Sequence, residues 1–180
     1  MTGVGIAIHR PLTVSRANAL LSILRTMNDA DIVQRLYEAF DRRDGDAMAA
    51  LYAPDGHFRD PVFGDLTGAE AGAMWRMLTS RAEDLKVELV EHDASSAHWI
   101  ARYTFTQTAR PVVNDVHADI RVENGLIVDH VDRFSFWAWS RQALGAPGVL
   151  LGWTPMLRSK VGGTARKGLD DFIAREKSAR

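Results

Sequence analysis

Cysteine is absent from the 180 residues, which excludes a disulfide framework, a thiolate metal centre and a cysteine nucleophile. That composition suits a reducing compartment, and a cytoplasmic location is expected. An excess of one charge is missing as well. Lys+Arg number 22 against 23 Asp+Glu, so the net charge of -1 lacks the electrostatic footprint of a general nucleic-acid binder. No apolar run is long enough to span a bilayer, and no membrane partner is expected. The longest uncharged stretch, residues 142–157, is interrupted by Gly145, Pro147, Gly148, Gly152 and Pro155. There is no Gly-x-Gly-x-x-Gly and no P-loop, so no nucleotide cofactor is implied and none of any kind is expected. Internal repeats and low-complexity segments are absent too.

What is present is globular: 46% hydrophobic and 25% charged residues, at a length that suits one core. Residues 1–28 carry Arg10, Arg16 and Arg25 and no acid. Met27 directly precedes a helix-start signal. Residues 1–27 are therefore read as an extension, an upstream start rather than a targeting leader. Asn28 or Asp29 is expected to cap a first helix, with Ile32, Val33, Leu36, Tyr37 and Phe40 at helical spacing. Asp44-Gly45-Asp46 ends it. A short helix through Met48 to Tyr52 stops before Pro54. Residues 56–63 read as a brief extended segment closing in the turn Asp60-Pro61-Val62-Phe63-Gly64. Thr67 is expected to cap a third helix running to about Arg81.

The period then changes to two. Strands are expected over 85–91, 97–108, 111–123 and 126–137, with Asn124-Gly125 as the turn of the last hairpin. Helices followed by antiparallel strands make an α+β domain over 28–140. Residues 141–180 form a Gly/Pro/Trp-containing segment and a helix from about Gly163, packed on the domain or on a dimer partner.

The informative residues are titratable groups on faces that should be apolar. In the last strand His130 and Asp132 share a face with Phe134 and Phe136. In the strand before it, Val116, Ala118, Ile120 and Val122 make an apolar face whose one polar member is Asn114. The hairpin register brings Asn114, Asp132 and His130 toward one end of a cavity. A structural His–Asp contact explains the pair equally well. Asn114 has a bland reading too, as an edge hydrogen bonder. Asp115, His117 and Asp119 face the other way and read as a solvated strand face, so no metal is expected. Asp60 has a plain reading as the first residue of an Asp-Pro turn. Trp137, Trp139 and Trp153 are read as packing residues.

The helix Ile32-Val33-Gln34-Arg35, the stretch Leu51-Tyr52-Ala53-Pro54-Asp55, the turn Asp60-Pro61-Val62 with Gly64, and Asn124-Gly125-Leu126-Ile127 leading to His130, Asp132 and Phe134 occur in a characteristic order. In this the chain resembles the nuclear transport factor 2-like superfamily, from about Asp29 to Trp139. That superfamily includes ketosteroid isomerases, limonene epoxide hydrolases and SnoaL-like polyketide cyclases. The tail, with Leu151-Gly152-Trp153-Thr154-Pro155, is similar to one SnoaL-like branch. The resemblance implies a cone-shaped curved antiparallel sheet wrapped around N-terminal helices. It also implies a homodimer and a small hydrophobic ligand.

Family templates supply roles residue by residue. The isomerase base falls on Asp60, but the two oxyanion donors fall on Leu36 and Ala118, which cannot donate; Tyr37, one residue on, points off the pocket side. The epoxide hydrolase pattern matches His130-Val131-Asp132-Arg133-Phe134, with its arginine on Arg102 and its partner carboxylate on Thr104. SnoaL-like cyclases need one acid/base carboxylate. The resulting expectation is acid/base chemistry of isomerase or cyclase type by Asp60 and Asp132, with His130 orienting Asp132 or donating a proton. Asn114, Arg102, Trp75, Phe134, Phe136 and Tyr37 would contact substrate. Alternatives are an epoxide hydrolase, a non-catalytic ligand binder and a dimerisation module.

Overall fold

The computed structural model describes residues 14–179. Residues 1–13, and with them Arg10 of the expected extension, lie outside the described residues. Helix α1 (Val14–Asp41) starts well before the expected cap and runs straight through Asn28 and Asp29. No Gly or Pro interrupts residues 14–41, and good helix formers such as Ala19, Leu20, Leu21 and Leu24 precede Asn28, so nothing stops the helix there. Its second half is anchored, burying Ile32, Val33, Leu36, Tyr37, Ala39 and Phe40. Helix α2 (Gly45–Ala49) is capped by Asp44, whose side chain accepts from the Ala47 N–H.

Strand β1 (Tyr52–Asp60) and strand β2 (Gly64–Thr67) form a hairpin, so Tyr52 opens a strand instead of ending a helix. Helix α3 (Gly68–Arg81) follows with the expected Thr67 cap. The Thr67 hydroxyl accepts from the Glu70 N–H while Glu70 reaches back to the Thr67 N–H, a reciprocal capping box. Thr67→Ala is expected to cost about 1 kcal/mol, read as a shifted midpoint in urea unfolding. Gly68 is required by close approach, because a Cβ there would lie 1.9 Å from the Ala53 carbonyl oxygen.

Strands β3 (Lys86–His92), β4 (Ser96–Phe105), β5 (Arg110–Glu123) and β6 (Leu126–Arg133) complete a curved, unclosed sheet in the order β2-β1-β6-β5-β4-β3. Neighbours are antiparallel except β1 and β6, which pair in parallel. Asn124 and Gly125 both take positive φ at the β5–β6 turn, as their identities require. Val116, Ala118 and Ile120 face inward, and Asp115, His117 and Asp119 outward.

Three helices follow: α4 (Phe136–Ala143), α5 (Ala146–Leu151) and α6 (Pro155–Ser178). The last strand is thus shorter than expected. Ser135 accepts from the Ala138 N–H and starts α4, turning Phe136 and Trp137 out of the sheet. α6 begins at Pro155, earlier than expected, and folds back on the domain itself. Leu169 is fully buried in the main core, Arg76 grips Glu176 through two hydrogen bonds, and Arg166 pairs with Glu70. Among the described residues no helix is long and apolar enough to cross a membrane.

Candidate active site

The concave side of the sheet, α3 and the returning α6 enclose a cavity of about 750 Å³. Trp75, Met74 and Leu78 of α3, Trp99 of β4 and Phe134 supply apolar walls, and Leu157, Val161 and Ala165 of α6 close one side. Asp60, Asp132 and Asn114 reach it from the sheet. That is the usual make-up of a small-molecule site, an apolar body with few polar groups.

Asp132 lies on β6 opposite Ala118, whose small side chain leaves room beside the carboxylate. Its Oδ1 is 3.0 Å from His130 Nε2, and its second oxygen has no hydrogen-bond partner among the described residues. His130 is 0% exposed and sits below Asp132, off the cavity surface. Its Nδ1 lies 2.6 Å from the Tyr52 hydroxyl, which accepts from Trp75 Nε1 at 3.0 Å. Trp75 N–H can only donate, and an ionised Asp132 only accepts. The one consistent neutral arrangement therefore has Tyr52 donating to Nδ1 and the Nε2 proton donated to Asp132. This string, Trp75 to Tyr52 to His130 to Asp132, directs every donor toward the carboxylate at the cavity.

Asp60 ends β1, the parallel neighbour of β6, one position beyond the Arg59–Val131 pair and so beside Asp132 in the sheet. Its Oδ1 accepts from the backbone N–H groups of Val62, at 2.8 Å, and Phe63, so the Asp-Pro turn forms as its residues suggest. Burial pushes its pKa from 3.8 up to about 7; the Phe63, Val62 and Gly64 amides pull it down, and the Asp132 charge adds to the rise. Tyr103, near enough to feel the Asp60 charge, holds its proton more firmly than usual: burial, then that charge, raise its pKa, while its oxygen accepts from Trp139 Nε1 at 2.9 Å, which lowers it.

Of the residues named from sequence, Asp60, Asp132, Asn114, Trp75 and Phe134 meet at the cavity. Three do not. Arg102 is on the outer face of β4, paired with Glu88 at 3.0 Å, because Ala97, Trp99 and Ala101 take the inward positions of that strand. Phe136 is buried in a second cluster with Val112, Trp139 and Ala143. Tyr37 points inward, not away, yet lies beneath the cavity wall. It is 3% exposed, and burial, then the Asp132 and Tyr52 charges, push its pKa well up. The Tyr37 hydroxyl and the Trp99 N–H are buried without a well-formed hydrogen bond, although the indole N–H is near enough to ease the phenol's shift slightly.

Sequence reasoning missed Tyr52 and Tyr103 as site groups. Tyr103 carried a signal, since it falls on the strand β4 beside Arg102; Tyr52 was hidden by its misplaced helix. Trp139 is buried in the core, and Trp137 and Trp153 are exposed on the single chain, where packing on a dimer partner was the other expectation.

This geometry has solved counterparts. A protein of ketosteroid isomerase-like fold from Catenulispora acidiphila, crystallised with trimethylamine, is 22% identical, covering 69% of this chain and 97% of its own, with a TM-score of 0.55. An LEH-like epoxide hydrolase of M. tuberculosis is 17% identical, over 69% of this chain and 94% of its own, at 0.55. IdmH from Streptomyces antibioticus, a candidate polyketide cyclase, is 22% identical, over 66% and 99%, at 0.51. At such identities the likeness establishes the fold. No curated protein matches the chain. The SnoaL-like domain profile matches residues 33–130, more than half of the sequence, and the chain belongs to the SnoaL-like domain family.

Proposed function

We propose that the chain binds a flat, largely apolar molecule carrying a carbonyl or enol oxygen and acts on it by cofactor-free acid–base chemistry of the isomerase or cyclase type. The observation that carries this reading is the pair Asp60 and Asp132 facing one apolar cavity, with Asp60 pushed to about 7. Near neutral pH Asp60 is then able to hold a proton beside a second carboxyl group, Asp132, in one site. The carboxylate, Asp132, takes a proton from carbon next to the carbonyl. The neutral acid, Asp60, donates to the oxygen as charge develops there. The His130 N–H holds Asp132 in place and keeps its free oxygen aimed at the substrate. Similar proteins include one solved with a small molecule, trimethylamine, which supports the ligand-binding half of the reading. An epoxide hydrolase of the limonene type is less well supported, since the arginine that template needs falls on the outward-facing Arg102.

The test is a thermal-shift screen of lipophilic ketones, epoxides, terpenoids and aromatic polyketides, repeated with Asp60→Asn and Asp132→Asn. A ligand of the native state raises its melting temperature by mass action. The expected result is a hit among the carbonyl compounds, turned over by the natural chain and bound without turnover by Asp132→Asn. Binding with no turnover by any of the three would make the protein a ligand carrier.

A further inference from the structure

On the convex face of the sheet, away from the cavity, the outward residues of β4 and β5 bring a different chemistry together. His98 and His117 are directly opposite in the β4–β5 register, and Asp115 is two residues from His117 on the same face. The strand set Asp115, His117 and Asp119 reads as solvated from sequence. The neighbouring strand changes its composition, because His98 enters and Asp119 turns to Arg133. His98 Nε2 lies 2.9 Å from Asp115 Oδ1, and the two imidazoles stack with centroids 4.3 Å apart. One ligand atom from each of the three residues lies within 4.8 Å of the others.

We propose that His98, Asp115 and His117 form a site for one divalent transition-metal cation of the zinc class. Metal–ligand bonds of about 2.0–2.2 Å in tetrahedral geometry place donor atoms roughly 3.3 Å apart. His98 Nε2 and Asp115 Oδ1 are already 2.9 Å apart and all three donors lie within 4.8 Å of one another, so modest rotations of three side chains complete the set. Two imidazoles with one carboxylate select zinc, nickel or copper; calcium and magnesium want oxygen alone. Three protein ligands leave a fourth position for water. A depression of about 360 Å³ adjoins the set, lined by His98 and His117 together with Glu91, His92, Asp93 and Asp119. Glu91 and Asp93 at its rim add negative charge beside the histidines.

The site is independent of the cavity chemistry, being on the other side of the strands that carry it. A bound cation would clamp β4 to β5 through side chains. It must also displace the hydrogen shared by His98 and Asp115, so its affinity weakens as pH falls.

The experiment titrates zinc chloride into the untagged full chain by calorimetry at pH 7.5 and pH 5.5, with thermal unfolding alongside. The expected result is one saturable equivalent, a raised melting temperature reversed by EDTA, and binding at least tenfold weaker at pH 5.5. His117→Asn and His98→Asn should each weaken binding at least tenfold. His57→Asn, which removes a histidine held between Asp65 and Asp129 elsewhere on the surface, should leave it unchanged. Magnesium should not compete. No saturable binding, binding that survives His117→Asn, or equal loss in His57→Asn would each overturn the site, the last marking adventitious surface binding only.

Discussion

Replacing His130 with alanine is expected to destabilise the protein by about 3–5 kcal/mol, the range for a buried polar connection cut at its centre. The side chain is 0% exposed and joins two groups with little exposure of their own: Tyr52 is 4% exposed and packed under Trp75, and Asp132 is 5% exposed at the cavity wall. Its loss removes the partner of the Tyr52 hydroxyl and the one hydrogen bond to Asp132, and it leaves a void among Phe58, Tyr52 and Trp75, whose rings surround the imidazole. Desolvated polar groups without partners cost about 1–3 kcal/mol each, and the void adds to that. Urea unfolding followed by tryptophan fluorescence measures the loss. Tyr52→Phe removes two hydrogen bonds, to His130 Nδ1 and from Trp75 Nε1, but leaves no large void, and should cost about 1–3 kcal/mol. Combined with Asp132→Asn it should show coupling, because the Tyr52 and Asp132 bonds to His130 end on the same imidazole. A loss below 1 kcal/mol for His130→Ala would mean that the string is not a connected network.

That string explains why the site was only half legible in the sequence. His130 and Asp132 were visible because period-2 alternation puts them among apolar residues on one face of β6, and local pattern suffices for that. The Thr67 cap, the Asn124-Gly125 turn and the inward face of β5 are local in the same way. Tyr52 was not visible. It sits just before Ala53-Pro54, where a helix end and a strand start have the same local signature, and the parallel pairing of β1 with β6 that decides between them joins residues far apart in sequence. Tyr37 was read with Leu36 on the apolar arc of α1, where both are buried, but where it stands relative to the cavity depends on packing against Trp99 of another element. Arg102 shows the reverse case. The alternation of Ala97, Trp99 and Ala101 places it outside on local grounds, and the family template overrode a pattern that was already informative. The convex metal set needed the β4–β5 register, which no single strand contains.

Asp60→Asn is expected to stabilise the protein at alkaline pH while weakening its chemistry. A carboxyl moved from 3.8 to about 7 is harder to ionise in the native state than in the unfolded chain. Between those values the unfolded state has released its proton and the native state has not, so stability falls as pH rises. It is fully present below pH about 4 and lost by pH about 7–8. At about 1.4 kcal/mol per unit the whole shift corresponds to roughly 4 kcal/mol. Partial exposure of the side chain at the cavity mouth trims this to about 2–3 kcal/mol. Asparagine keeps the acceptor for the Val62 and Phe63 amides and has nothing to ionise, so its stability lacks this slope. The two unfolding free energies should agree below about pH 4, separate between about pH 4 and 7 and then run level, with the variant higher. His57, whose pKa is raised by Asp65 and Asp129, and Asp65, lowered to about 2 by Arg59 and His57, also shape the absolute curve. Both are unchanged in the variant and cancel in the difference. Parallel curves would show that the cavity does not desolvate Asp60 and would remove the neutral acid from the proposed mechanism. Diverging curves would mean that the fold keeps, at a cost in stability, a carboxyl group poised to hold a proton near neutral pH, which is what a general acid beside an apolar substrate requires.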